Sequence, residues 1–208
     1  MPSSFTALGV ELMVTGEQAG LWGDKTNTNL NILSQIVGGY NSQAVNGTGD
    51  TPLNVSDGAT GATVANRIIE LTGTITGNIT VSIPLDVENF YIIKNSTSGA
   101  FTVEFQYTSG SGTSVTFSAT DKGTKFVYAK ADDGTNPNIV DVFSEFSQIN
   151  LVNRNELRFQ DATGGQYIGL RAATTVGSSF TLNLPTADAT SSGQALVSDS
   201  SGNLSFAD

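Results

Sequence analysis

The acidic side chains are the residues of this chain best suited to chemistry, and two of them are adjacent. Asp132 and Asp133 lie in the run ADDGTN. Two carboxylates at a suitable separation hydrolyse glycosidic bonds, and clustered carboxylates bind Ca²⁺. The spacing here does not match an EF-hand loop. We therefore interpret the pair as a solvated turn, and Glu70 and Glu104 as part of the polar face of half-buried strands.

The chain contains no histidine and no cysteine. Ser-His-Asp and Cys-His nucleophiles, thiolate zinc sites and disulfide frameworks are therefore excluded. The sequence also lacks the glycine patterns of phosphate-binding loops, dinucleotide-binding folds and the nucleophile elbow. It predicts a non-enzymatic protein with no catalytic residue, no cofactor and no metal site.

Aromatic side chains in loops can stack on sugar rings. Tyr107 precedes a run rich in glycine and serine, and Tyr167 follows Gly164-Gly165. These two tyrosines are the candidate glycan contacts, whereas the other central aromatic residues, such as Phe105, are expected in a core. A module that binds host-surface glycan is therefore one hypothesis for the function.

The charge of the chain restricts its partners. Nine Lys and Arg residues stand against 19 Asp and Glu residues, which gives a net charge of −10. This charge repels phosphate backbones and no basic stripe offsets it, so no nucleic-acid partner is expected. No run of 18 apolar residues exists, so no membrane insertion is expected either.

The first segment, residues 1–50, contains the best helix pattern. A helix is expected over residues 25–37, with Asp24 as its N-cap and Gly38-Gly39 as its stop. A short strand is expected before it, over residues 8–14. The segment is interpreted as a strand–helix anchoring module.

The predicted helix has a broad apolar face. Leu30, Leu33 and Val37 recur at helical spacing, and Ile32 and Ile36 broaden the stripe. A helix of this length must bury such a face, either on its own domain or on a partner or sister subunits. Both alternatives stay open at this point. The candidate particle-anchoring residues are Trp22, Leu30, Leu33 and Val37.

The second segment, residues 64–147, contains strand patterns throughout. Apolar and polar residues alternate in ITVSI and FTVEFQY, which indicates strands with one buried and one solvated face. Together with the turn-forming stretches between them, these strands predict a small antiparallel β-sandwich resembling a jelly roll. Seven strands are expected, over residues 67–71, 78–83, 90–95, 101–107, 114–117, 124–130 and 139–143.

The third segment, residues 150–208, is a β-module rich in glycine and serine. Short strands are expected over residues 157–160, 167–170, 180–184, 195–198 and 204–206. Segments shorter than about 70–80 residues rarely sustain a core without staples, and this one has no cysteine. We therefore expect identical copies to pool their apolar faces, so the protein is predicted to be an oligomer.

The N-terminal sequence resembles a known class of proteins. The run VELMVTGEQAGLWGDKTNTNL at residues 10–30 is similar to the opening of structural proteins of marine tailed bacteriophages, where TGEQAGxWGDxTNxN begins fibre-like or decorating virion proteins. The stretches NRIIELTG, FYIIKN and KFVY resemble the middle of the same proteins.

The last segment resembles a recurrent phage fibre module. The resemblance rests on the stretches LRFQD, YIGL, FTLNLP, GQALV and GNLSF. A proline usually follows the YxG strand in that module, whereas Ala172-Ala173 stands here, and the module commonly continues beyond the position of Asp208. These differences favour a stub, adaptor or decoration over a long receptor-binding shaft.

The resemblance implies a virion protein that is assembled in the host cytoplasm as a homotrimer. Its N-terminus is expected to dock on other virion proteins while its β-domains project outward. A short tail-attached fibre or fibre adaptor is the first hypothesis. A capsid-decorating or head-fibre protein that stabilises the shell, and a glycan-binding host-recognition module, are the alternatives.

Overall fold

The computed structural model describes residues 3–120, 122–161 and 164–208. The chain divides into two compact units, Met1–Phe146 and Ser147–Asp208. Strands hold 36% of the residues and helices 10%, which confirms the prediction of a mainly β protein. The predicted anchoring module, residues 1–50, is not a separate unit, because its last residues pair with strands of the central segment.

The described residues of the first unit form one α-helix, a 3₁₀ turn and eleven strands. The strand predicted over residues 8–14 is reduced to two residues, and each of the seven strands predicted for the centre is present, as β5 to β11. The elements are β1 (Ser4–Phe5), β2 (Glu11–Leu12), α1 (Trp22–Gly38), β3 (Tyr40–Ala44), β4 (Gly47–Pro52), the 3₁₀ turn (Thr63–Ala65), β5 (Ile68–Thr72), β6 (Ile75–Ile83), β7 (Asn89–Asn95), β8 (Val103–Tyr107), β9 (Val115–Phe117), β10 (Thr124–Ala129) and β11 (Ile139–Asp141).

The chain alternates between two sheets as it runs from β3 to β8. One sheet has the order β11-β10-β7-β5-β3 and the other the order β4-β6-β8-β9. The pairs β3–β4, β5–β6 and β7–β8 each form one coil, and successive coils stack in parallel. Strand β4, at one edge, shifts register between Gly47 and Gly49 and ends at Pro52.

The corners between the strands of each coil also stack. The Ser98 N–H donates to the Gly73 carbonyl at 2.8 Å, and the Ile75 N–H donates to the Ser98 carbonyl at 3.0 Å. Gly99 has φ +103°, and a Cβ there would lie 2.3 Å from the carbonyl oxygen of Ile75. The corner therefore requires glycine at position 99.

The predicted antiparallel order is wrong for the stacked coils. Four of the seven pairings in the two large sheets are parallel, and only β7–β10, β8–β9 and β10–β11 are antiparallel among the described residues. Alternating polarity identifies a strand and its buried face, but it carries no information on the direction of the neighbouring strand. The parallel coils do not match a jelly roll, which is built from antiparallel strands.

One core fills the space between the two sheets. Tyr91 of β7 and Phe105 of β8 are buried and meet edge to face, with ring centroids 5.6 Å apart. The Tyr91 hydroxyl donates to the Val64 carbonyl at 2.8 Å, so its buried polar atom has a partner. Further core residues from both sheets include Ile69, Leu71, Ile79, Val81, Ile93, Val103, Phe117 and Val127.

Helix α1 begins earlier than predicted. It starts at Trp22, so Asp24 lies in the first turn and is not the N-cap, and Leu21 precedes the helix without a side-chain cap. The negative Asp24 carboxylate still interacts favourably with the positive N-terminal end of the helix dipole. The predicted stop is confirmed, because α1 ends at Gly38. Gly39 is needed for close packing, since a Cβ there would lie 2.7 Å from the carbonyl oxygen of Gln35.

The second unit contains two hairpins among its described residues. Strand β12 (Leu157–Gln160) pairs with β13 (Tyr167–Leu170), and β14 (Ala195–Ser198) pairs with β15 (Leu204–Ala207). The strand predicted over residues 180–184 is not formed there. Asn183 makes only an isolated parallel bridge with Asn203.

Candidate docking surfaces

The N-terminal segment is fastened to helix α1 by a polar network around Glu11, which is buried. The Lys25 ammonium lies 3.0 Å from the Glu11 carboxylate, and the Gln18 side chain donates to that carboxylate at 3.0 Å. The Asn29 amide pairs with the backbone of Glu11 in both directions, each bond being 2.9 Å long. Hydrogen bonds from Lys25 and Ser3 lower the pKa of Glu11 below its usual value.

The TGEQAG motif forms the turn that precedes this helix. Gly16 and Gly20 have φ of +84°, and Gln18 has φ of +61°. The Glu17 carboxylate accepts from the hydroxyl of Ser3 at 2.8 Å and from its backbone N–H at 3.1 Å. These residues of the motif therefore serve the local fold, whereas Trp22 remains exposed.

The exposed side of helix α1 carries the predicted anchoring residues. Ile32 is 1% exposed and Ile36 packs on the core, so this side of the helix folds back on its own unit. Leu30 and Leu33 point away from that side and are exposed, and Val37 is 74% exposed. One side of the helix therefore packs on its own unit, and the other side is exposed. We name Trp22, Leu30, Leu33 and Val37 the helix face.

The predicted glycan contact at Tyr107 is wrong. Its side chain is 4% exposed, and its hydroxyl donates to the Val87 carbonyl at 2.9 Å and accepts from the Ala131 N–H at 2.8 Å. A ring that fills a core cannot stack on a sugar. Tyr167 is exposed, and the Arg158 guanidinium lies 4.2 Å from its ring centroid.

The carboxylates of the ADDGTN run are held by neighbouring groups. Asp132 lies 2.8 Å from the Lys130 ammonium and accepts from the Asn138 N–H at 2.8 Å, which lowers the pKa of Asp132. Asp133 accepts from the Thr135 N–H at 2.8 Å. These bonds are those of a structured turn. Among the residues that the structure describes, no group of three or more acidic side chains is placed to hold a metal ion.

The hairpin β12–β13 has one apolar side and one polar side. Leu157 lies opposite Leu170 and Phe159 opposite Ile168, so these four side chains share one side of the hairpin. All four are exposed, Ile168 by 73%. The other side carries Arg158, Gln160 and Tyr167. We name Leu157, Phe159, Ile168 and Leu170 the hairpin face.

The outer sides of the two large sheets differ in character. On the four-stranded sheet the outward cross-strand row is polar, whereas the five-stranded sheet carries an apolar outward row beside a polar one, Ser42, Glu70, Lys94 and Thr124. The polar row of the four-stranded sheet is Asp50, Thr80, Glu104 and Thr116. The apolar row is Tyr40, Ile68, Ile92 and Phe126, and it is flanked by Phe90, Tyr128, Val140, Phe143 and Phe146. We name these apolar residues together the sheet face.

The sheet face was not predicted from the sequence, because each strand was expected to have one solvated side. A signal for it exists in residues 90–93, FYII, where apolar residues follow one another without alternation. Such a run is typical of a strand that is covered on both sides.

The described part of the chain contains no helix that is long and apolar enough to cross a membrane. No protein-family model matches the chain, and neither a curated protein nor a solved structure matches it. The three apolar faces described above are therefore the basis for a functional proposal.

Proposed function

We propose that this chain is a non-enzymatic structural subunit of a bacteriophage virion, most simply a short homotrimeric tail-attached fibre or fibre adaptor. Its copies associate through the second unit, and the helix face docks each copy on other virion proteins. The resemblance of residues 10–30 to phage structural proteins supports the virion part of the proposal. The exposed apolar faces support the assembly part.

One observation carries the proposal: the second unit has no core of its own. None of the described residues in 147–161 and 164–208 is buried. Fourteen large apolar side chains of this unit are exposed, among them the four of the hairpin face. Removing this much apolar surface from water is favourable, so a surface that covers it stabilises the unit.

The exposed apolar area is large enough for a stable association. A large side chain offers about 150–250 Å² when fully exposed, so fourteen that are each about half exposed present on the order of 1,000 Å² per copy. The largest apolar patch on a typical monomer is about 300–600 Å². A standard interface buries about 800 Å² per partner. Association of copies therefore accounts for this surface.

The helix face supports a second, separate contact. The Glu11 network and the buried Ile32 hold α1 in place, so its outer side is presented on a rigid support. A rigid element loses little conformational entropy when it binds. We propose that this face is the particle-anchoring foot.

The association is tested by sedimentation of the full chain, which is expected to give three times 21.6 kDa. Ile168→Asp introduces a charge on the hairpin face and should yield monomers. Gln160→Asp introduces the same charge on the polar side of the same hairpin and should leave the trimer intact. A monomeric wild-type chain, or equal behaviour of the two variants, would contradict the proposal.

The anchoring role is tested in assembled particles. Leu33→Asp is expected to prevent incorporation while the purified variant stays trimeric, and Asn31→Asp, at an exposed position on the same helix, is the matched control. Deletion of residues 1–45 is unsuitable because it removes β3 from its sheet. An image of labelled particles then distinguishes attachment at the tail from attachment on the shell, the latter favouring a decorating protein.

A further inference from the structure

Aromatic rings extend the sheet face to the end of the first unit. Phe90 and Phe126 have ring centroids 6.2 Å apart, and Phe143 meets Phe126 edge to face at 4.8 Å. Phe146 stacks on Phe143 at 5.8 Å and is 57% exposed. The rings form a continuous ladder that begins on strand β7 and ends at the last residue of the unit.

One ion pair lies on the polar outward row beside this ladder. The Lys94 ammonium lies 2.9 Å from the Glu70 carboxylate. The Arg67 side chain donates to backbone carbonyls and lies 5.7 Å from the Phe90 ring centroid. These contacts reduce the charge that a sister copy meets at this part of the face, although the chain as a whole carries a net charge of −10.

We infer that the sheet face of one copy packs against a sister copy in the assembled protein. The inference rests on the proposed function, because it uses the association of the second units. The occupant follows from the position of Phe146, which is separated from strand β12 by the ten residues 147–156. Association of the second units therefore tethers the first units of sister copies to one another.

A tether of this length sets the effective concentration of the sister face. Short flexible linkers give effective concentrations in the millimolar range, so contacts that are too weak for free copies become populated. The same linker is present in each copy, so the first units of associated copies are held near one another. A second copy of this chain is therefore the occupant that the covalent structure favours.

The polar outer side of the four-stranded sheet provides an internal comparison. It belongs to the same unit, and its row Asp50, Thr80, Glu104 and Thr116 is suited to water. If the first units met at random within the tethered assembly, both outer sides would be found near a sister copy. The inference predicts that only the sheet face is.

The test uses the absence of cysteine from the chain, which makes any introduced thiol unique. Glu145→Cys places a thiol on an exposed position between Phe143 and Phe146, and Thr116→Cys places one on the polar row. A short bis-maleimide is applied to each full-length variant at micromolar concentration. We expect covalent dimers from Glu145→Cys and at least fivefold fewer from Thr116→Cys. Adding Phe143→Ser and Phe146→Ser to Glu145→Cys should lower its yield at least fivefold while the mass remains that of a trimer.

The outcomes separate the inference from the proposed function. Trimers that do not cross-link through Glu145→Cys, or that cross-link equally through both positions, overturn the inference and leave the proposed function standing. A chain that is monomeric and does not cross-link overturns both. Cross-links from Glu145→Cys that appear only in particles, and only to a different virion protein, overturn the sister-copy contact.

Discussion

The two units of this chain differ in how far they bury their apolar side chains. The first unit folds three stacked coils around a core that includes Tyr91 and Phe105. In the second unit, the described residues form hairpins that bury no side chain, although its strands carry apolar residues as regularly. Local backbone pairing therefore shapes both units, but among the described residues only the first unit has a buried core of its own.

The comparison shows that a unit can contain many strands and still lack a buried core of its own. A two-stranded hairpin is marginal alone, and three or more strands with a shared apolar side are needed for independent stability. In the first unit, the two large sheets cover each other. In the second unit, the hairpin face has no such cover within the described residues, so its stability is tied to neighbouring chains.

The largest expected effect is in the core of the first unit. Phe105→Ala removes a buried ring between the two sheets and should cost about 3–5 kcal/mol of unfolding free energy. Because the core lies within one chain, this loss should not depend on protein concentration, as measured by chemical denaturation. Phe159→Ala on the hairpin face is the counterpart. Its effect arises from weaker association, so it should be largest at high protein concentration and should shrink as the protein is diluted. Concentration-independent loss from Phe159→Ala would remove the distinction between the units.

A smaller effect is expected on acidification. Hydrogen bonds from Ser96 and Tyr40, together with Lys94, lower the pKa of Glu70 to about 2. Because the folded-state pKa lies below the ordinary value of 4.5, this carboxylate stabilises the fold above pH 4.5 and loses that contribution as the pH falls to 2. Glu70→Gln should reduce the slope of the unfolding free energy against pH over that window. The reduction corresponds to a difference of up to one bound proton between the folded and unfolded states. An unchanged slope would show that Glu70 does not take part in the linkage.

The smallest effect on stability is expected at the helix face. Leu33 is exposed on α1, so Leu33→Ser should change the unfolding free energy by no more than about 0.5 kcal/mol. Ile32→Ser, one residue away on the buried side, should cost several times more. Calorimetry of the two variants tests whether the helix has one structural side and one free side. Similar losses for both would mean that the whole helix serves the fold.

Much of the local structure could be predicted from the sequence. Alternation identified the strands from β5 to β11, and Gly38 marked the end of α1. The direction of neighbouring strands could not be predicted. Residues that lie side by side on adjacent strands, such as Ile68 and Ile92, are separated in the sequence by one complete coil. No local pattern specifies which of the other strands will lie beside a given one.

The candidate residues were predicted with mixed success for the same reason. Helical spacing placed Leu30, Leu33 and Val37 on one side of α1, and that side is exposed, whereas its anchoring role stays a prediction. Tyr107 was assigned to a loop surface because a flexible run follows it, yet it is the last residue of β8 and its ring turns inward. The sheet face was missed because its apolar row is assembled from four strands and is visible only in their register.

The edge strand β4 has a consequence for the way copies can add to one another. Stacked parallel coils end in an open ladder, and such an end can recruit further strands without limit. Here that end carries a register slip at Gly47–Gly49, the charge of Asp50 and the missing amide hydrogen of Pro52. These three features make β4 a poor template for a further strand, so continuation of the stack at this edge is disfavoured.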